Sequence, residues 1–147
     1  MITLREINKH NWETCIQLQV EPGQEAYIAS NLYSIAQAQF LDGFVTKGIY
    51  KEDQMIGFAM YGLDADDGNY WVYRFMIDRR FQKQGFGQLA MQQVIEDIRS
   101  KADRTDVILL GYDPGNRQAR ALYAKAGFIE EEIAPWGEQV ARYRFTL

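Results

Sequence analysis

The apolar positions of this chain fall into period-two stretches, short unbroken runs and helical spacings. Ile2 and Leu4, set against Glu6, predict a first strand over Ile2–Ile7. Asn11 stands where it can cap a short helix, with Glu13 early and Ile16 and Leu18 facing inward. Pro22-Gly23 then breaks the chain. From Glu25 to Phe40, Ile28, Leu32, Ile35, Ala36 and Phe40 share one face and predict a second amphipathic helix, ended by Asp42-Gly43. Phe44–Tyr50 and Met55–Leu63 read as strands around the polar turn Lys51-Glu52-Asp53-Gln54. The acidic turn DADDGN, Asp64–Asn69, leads into Tyr70–Ile77, a run that is apolar except for Arg74. Such a run suits a strand buried on both faces. Three consecutive strands with short polar turns make an antiparallel meander.

Polar, basic sequence follows from Asp78 to Gln84, and Gly85-Phe86-Gly87 opens a segment with Leu89, Met91, Val94, Ile95, Ile98 and Ala102 at helical spacing. Asp106–Gly111 (DVILLG) reads as a short buried strand. After the turn Asp113-Pro114-Gly115, Asn116 can cap a helix whose apolar face is Ala119, Leu122, Tyr123 and Ala126, and Gly127 stops it. Phe128–Ile133 and Gln139–Leu147 are two final strands joined through Pro135-Trp136-Gly137. The element order β-α-α-β-β-β-α-β-α-β-β predicts an α/β fold with a mixed sheet, and 147 residues suffice for one domain with a sizeable core.

Composition narrows the function. Hydrophobic content of 47% and charged content of 24% are ordinary globular values. No apolar run is long enough to span a membrane, and the charged N-terminus MITLREINKH is unlike a signal peptide. The single cysteine, Cys15, excludes an internal disulfide framework, and one Cys with one His cannot build a Cys/His metal site. Cys15 reads as a small buried residue, because no catalytic histidine accompanies it. His10 reads as a surface residue. The expectation is a cytoplasmic, metal-free protein that does not engage membranes. The net charge of −4 argues against nucleic acid. Residues 1–70 hold ten acidic and four basic side chains, and residues 71–147 hold ten and twelve. A basic half suits an anionic cofactor, and an acidic half suits a cationic substrate.

The candidate chemistry lies in the unit of strand, glycine turn and helix from Tyr70 to Met91. Glycines let a backbone approach a ligand closely, and a helix start offers unpaired N–H groups at a positive dipole end. Together they form an anion site, for which phosphate is the usual guest. The P-loop is excluded, because Gln88 follows Gly87 where lysine is needed. The dinucleotide fingerprint is satisfied only in its relaxed form at Ala90. The acidic residue it requires is misplaced, since Asp106 begins a strand rather than ending one.

What fits is Gln82-x-x-Gly85-x-Gly87 after a buried strand. This resembles the pyrophosphate loop of the Gcn5-related N-acetyltransferases (GNAT), which bind acetyl-coenzyme A. A second motif, Asn116-x-x-Ala119-x-x-Leu122-Tyr123-x-Lys125-x-Gly127-Phe128, resembles the other half of that family's pattern. The stretches PGQEAYIASNLYSIAQA and RFMIDRRFQKQGFG are also similar to the bacterial spermidine/spermine acetyltransferase subgroup.

The resemblance implies a mixed, mostly antiparallel central sheet of about seven strands flanked by about four helices. It implies that Met76 and Ile77 hold the pantetheine arm. It brings the amides of Lys83, Gln84, Gly85, Phe86, Gly87 and Gln88 to the pyrophosphate, with Gln82 shaping the loop and Arg79, Arg80 and Lys83 adding positive charge. Asn116 would face the pantetheine as well as cap its helix. Tyr123 would protonate the departing thiolate, and an N–H near Ile77 would stabilise the charge on the carbonyl oxygen.

The departure from the family pattern concerns the base. The strand before the loop carries Trp71, Tyr73 and Arg74 and no carboxylate. The base must then come from elsewhere, such as Glu21 or Glu25, or be a water chain; Glu25 has an equally good reading as a first-turn helix acid. The implied acceptors are polyamines and diamines first, with a protein N-terminus or another small amine as the same-class alternative. A non-catalytic acyl-coenzyme A sensor is the reading from another class. A homodimer is an assembly the family allows.

Overall fold

The structure is a computed structural model and describes residues 1–145. Seven strands form one sheet in the order β1-β2-β3-β4-β5-β7-β6. They are β1 (Ile2–Glu6), β2 (Phe44–Lys51), β3 (Gln54–Leu63), β4 (Tyr70–Ile77), β5 (Val107–Tyr112), β6 (Ile129–Ile133) and β7 (Gln139–Arg144). Four helices accompany them: α1 (Trp12–Gln17), α2 (Asn31–Ala38), α3 (Phe86–Arg99) and α4 (Arg117–Ala126). The expected α/β class, strand number and element order hold. Only β4 and β5 run parallel; the other neighbours are antiparallel. A parallel pair needs a long crossover, and α3 supplies it. Thr146 and Leu147, the end of the last expected strand, lie outside the described residues.

Alternation along the central strands sends side chains to two cores. Phe58, Met60 and Met76 pack with Cys15 and Leu18 on the α1–α2 side. Ala59, Tyr61, Phe75 and Ile77 pack with Met91, Val94, Ile95 and Ile98 of α3 on the other. No residue of β4 is exposed, which fits its place at the centre of the sheet. Cys15 is fully buried, and its thiol is pushed up to about 12 by that burial, so it is inert.

The expectations for three of the helices need correction. The second helix is Asn31–Ala38, not Glu25–Phe40. Ser30 caps it, its hydroxyl accepting from the Tyr33 amide at 3.1 Å. Residues 21–30 form turns instead, held by side-chain oxygens of Gln24 and Glu25 on the amides of Glu21 and Gly23. Its inward face is also different. Leu32 and Phe40 are exposed, while Asn31 is buried and donates to the Cys15 carbonyl at 2.9 Å.

Asn11 does not cap α1 through its side chain. Its amide nitrogen donates to the Glu6 carbonyl at 3.0 Å, and its oxygen accepts from the Asn8 amide at 2.8 Å. Ile16 is only half-buried, and Cys15 takes the inward position beside Leu18. In α3, Leu89 is 51% exposed and Ala102 lies beyond the helix end. Met91, Val94, Ile95 and Ile98 form the buried stripe, and Leu89 falls on the face of Gln92, Gln93 and Glu96.

Candidate active site

β4 and β5 pair only from Tyr70–Ile108 to Val72–Leu110. The β3–β4 register then skips Tyr73, since Tyr61 pairs with Val72 and Met60 with Arg74. A bulge of this kind bends its strand, and here it lies where β4 parts from β5. β3 continues to pair with the other edge of β4 as far as Ile77. On the β5 side, β4 has no strand partner beyond Val72, so its backbone there can bind an extended ligand. The split opens a cavity of about 560 Å³.

The loop after β4 forms one end of that cavity. Asp78 is 2% exposed and organises it. Its carboxylate accepts from the Arg80 amide at 3.0 Å, the Arg80 Nε at 2.8 Å and the Gln19 amide at 2.9 Å. Burial alone would push the Asp78 carboxyl up, but the Arg80 and Gln19 hydrogen bonds outweigh it and hold it below the usual carboxylate range. Lys83 (φ +63°) and Gly85 (φ +86°) are both left-handed, and α3 begins at Phe86 with no acid in its first turn. Left-handed residues just before a helix start are backbone that can form a nest of N–H groups for an anion such as phosphate.

The structure brings together Met76, Ile77, Gln82, Lys83, Gly85, Gly87, Gln88, Asn116 and Tyr123 around the cavity. Gln84 and Phe86 do not line it. The Gln84 side chain donates to the Arg80 carbonyl at 3.3 Å, and the Phe86 ring packs on the core, with Lys51 Nζ 5.3 Å above it. Gln82 donates to the Ile77 carbonyl at 2.9 Å, tying the loop back to β4. Its amide also joins a ring with Gln24 and Gln118 that straps the 21–30 segment across the cavity. Glu21 and Glu25 sit on that segment, exposed, and neither lines the cavity.

Asn116 caps α4, its oxygen accepting from the Ala119 amide at 3.1 Å. Tyr123 packs against Tyr112, Phe128 and Phe75, with ring centroids 5.5, 5.9 and 6.5 Å away. Burial, with Tyr112 and Glu138 nearby, pushes its phenol well above the ordinary value. The group therefore stays protonated at neutral pH. Among the described residues no hydrogen bond engages its hydroxyl, which leaves that proton free for a ligand.

Sequence reasoning missed Glu138. It enters from the β6–β7 connection and is, among the described residues, the one carboxylate in the cavity lining. It also lines a smaller adjoining compartment of about 270 Å³ with Asp64, Trp71, Trp136 and Gln37. Arg74, on the same strand as Trp71, borders both spaces and is tied to Gln37 Oε1 at 2.9 Å and the Tyr73 carbonyl at 3.0 Å. Among the described residues no helix is long and apolar enough to cross a membrane, and no group of three or more His, Cys, Asp or Glu could hold a metal.

Residues 5–128 match the acetyltransferase (GNAT) family. The chain is 30% identical over 146 residues to the spermine/spermidine N(1)-acetyltransferase of Bacillus subtilis (strain 168), with 95% of each chain covered. Its fold is similar to that of an aminoglycoside acetyltransferase in complex with coenzyme A, at a TM-score of 0.79 and 16% identity, covering 98% of this chain and 95% of that one. A spermidine N-acetyltransferase from Vibrio cholerae, in complex with coenzyme A and spermine, gives a TM-score of 0.73 at 17% identity, covering 96% and 92%. At those identities the structural likeness is one of fold. The family match, the curated relative and the two sequence motifs converge: this chain belongs to the acetyltransferase (GNAT) family and is an acetyl-coenzyme A-dependent N-acetyltransferase.

Proposed function

We propose that the protein acetylates a primary amine of a diamine or polyamine, spermidine or spermine, by direct attack on acetyl-coenzyme A within this single domain. The observation that carries this reading is the compartment beside the cavity. It is lined by two carboxylates, Asp64 and Glu138, and two indoles, Trp71 and Trp136, whose rings are 6.4 Å apart. Carboxylates and indole faces both attract ammonium groups. An acceptor with a second cationic centre could seat one there while the first reaches the cleft. The name of the Bacillus relative supports the same acceptor class.

In this reading the free edge of β4 at Met76 and Ile77 binds the pantetheine arm. The Lys83–Gly87 nest and the α3 start receive the pyrophosphate, and exposed Arg79 and Lys83 add charge. Backbone N–H groups of β4 stabilise the charge that gathers on the thioester oxygen. Tyr123 donates its proton to the thiolate as the C–S bond breaks. The test is coenzyme A release on mixing the protein with acetyl-coenzyme A and a panel of spermine, spermidine, putrescine, a monoamine and a peptide N-terminus. Polyamines should lead the panel. A protein that acetylates only the peptide would sink the acceptor assignment.

A further inference from the structure

An alkylammonium has no lone pair to attack with until it loses a proton. β4 offers no carboxylate for that step, because its cleft-side polar residues are Tyr73 and Arg74. Glu21 and Glu25 lie outside the cavity lining. Glu138 borders both the cofactor cleft and the smaller compartment, so it sits at their junction. An amine held in the compartment must pass that junction to meet a thioester in the cleft.

Two features fix the carboxylate there. Trp136 Nε1 donates to Glu138 Oε1 at 2.8 Å, and Oε2 takes no hydrogen bond from the described residues. Gly111 at the end of β5 leaves the room, since a Cβ at that position would stand 2.8 Å from Oε1 and 3.3 Å from Cδ. Gly111 has an ordinary negative-φ backbone, so space, not conformation, is what its missing side chain provides. The charged and titratable groups that line the same spaces as Glu138 are Tyr27, Tyr73, Arg74, Lys83, Tyr112 and Tyr123 in the cleft and Asp64 in the compartment.

We propose that Glu138, held by Trp136 and admitted by Gly111, is the residue that takes the proton from the acceptor ammonium. The inference rests on the acetyl-transfer reading above. Of the three protons on the ammonium, the amide keeps one. Glu138 accepts the first and releases it to solvent, and the freed lone pair forms the C–N bond as the C–S bond breaks. The second proton leaves the nitrogen as that bond forms. It replaces, through solvent, the proton that Tyr123 gives to the thiolate.

The test measures single-turnover rates with saturating spermidine, or the best acceptor of the panel, across about pH 6–9 for wild type, Glu138→Gln, Gly111→Ala and the double variant. Glutamine keeps the acceptor for Trp136 but cannot take a proton. Glu138→Gln is expected to lose about 10²–10⁴-fold at the acidic end, with a rate that climbs about tenfold per pH unit as free amine replaces ammonium. Wild type is expected to be nearly flat over the lower half of that range. Gly111→Ala, which keeps the carboxylate but displaces it, should lose rate, and the double variant should lose no more than Glu138→Gln alone. A Glu138→Gln protein with a raised KM but an unchanged rate and pH profile would overturn the proposal, because Glu138 would then only attract the cation. Should Glu138→Gln fail to fold by circular dichroism, Gly111→Ala decides alone: an unchanged rate overturns the proposal, and a loss that is steepest at low pH supports it. If wild type acetylates no amine of the panel, the acceptor reading fails and the role of Glu138 goes with it. If wild type is active and the variants match it, only the role of Glu138 fails.

Discussion

Tyr123 sits in a ring of aromatic side chains with no hydrogen-bond partner for its hydroxyl among the described residues. Removing that oxygen therefore strands nothing, and the phenyl ring that remains fills the same space. Tyr123→Phe should keep its melting temperature and its affinity for coenzyme A. It should lose about 10²–10⁴-fold in single-turnover rate, the usual contribution of a positioned acid. An unchanged rate would remove Tyr123 from the mechanism. Its phenol, whose pKa is raised by burial, carries its proton at neutral pH. Its place in the cavity was legible in the sequence because the motif that resembles the family pattern singles it out. Glu138 was not, because nothing in Trp136-Gly137-Glu138 says that the turn packs beside Gly111. That neighbourhood exists only because β7 lies between β5 and β6, with Gly111 paired to Val140 and Tyr112 to Gln139. A non-local pairing of this kind leaves no periodic trace.

The two glycines of the loop illustrate what an element asks of its residues. The sequence places both in a loop where a Cβ would crowd a pyrophosphate or strain the turn, and the structure gives the two different constraints. Gly85 has open space around its missing Cβ but a φ of +86°, so its requirement is conformational. Gly87 has a Cβ position 3.2 Å from a Leu122 methyl, so its requirement is the close packing of α3 on α4. Gly85→Ala should cost about 1–2 kcal/mol through left-handed strain and weaken acetyl-coenzyme A by distorting the nest. Gly87→Val should cost about 1–3 kcal/mol by overpacking and shift α4, and Tyr123 with it. Chemical denaturation reads the first quantity and calorimetric titration with acetyl-coenzyme A the second. A Gly87→Val protein with native stability and native affinity would refute the packing account. Element identity was largely visible in period and punctuation, as the strands from Phe44 to Ile77 demonstrate. The exception is the 25–40 segment, where helical spacing ran on through turns. There the Ser30 cap and the bonds from Gln24 and Glu25 side chains overrode the pattern.

Charge is the property that belongs to the whole molecule. The acidic excess of residues 1–70 suggested a field for a cation, but the folded chain spends part of it locally. Glu52 meets the N-terminal ammonium at 2.6 Å, Asp53 meets Arg5 at 3.1 Å, and Glu6 lies 3.9 Å from Lys47. All three pairs are on the N-terminus, β1, β2 and the turn that follows β2, at the far edge of the sheet and away from the cavity lining. Of the same acidic excess, the carboxylate that lines the smaller compartment is Asp64, which accepts from the Tyr73 hydroxyl at 2.6 Å. The field at the acceptor should therefore be short-ranged and local, not a property of the acidic half. Screening acts over about 10 Å at 0.1 M salt, so exposed attraction to a second ammonium weakens as salt rises. KM for spermine and spermidine should rise between low and physiological ionic strength, and KM for a monoamine of similar length should rise less. Asp64→Asn should flatten the polyamine response while leaving the monoamine unchanged. Asp53→Asn, equally acidic in sequence but distant in the fold, should leave both responses as in wild type. Steady-state kinetics at two salt concentrations separates these cases. Equal salt responses for spermine and the monoamine would defeat the polyamine assignment and leave acetyl transfer standing. A response erased by Asp53→Asn would instead mean that the acidic half acts as a whole.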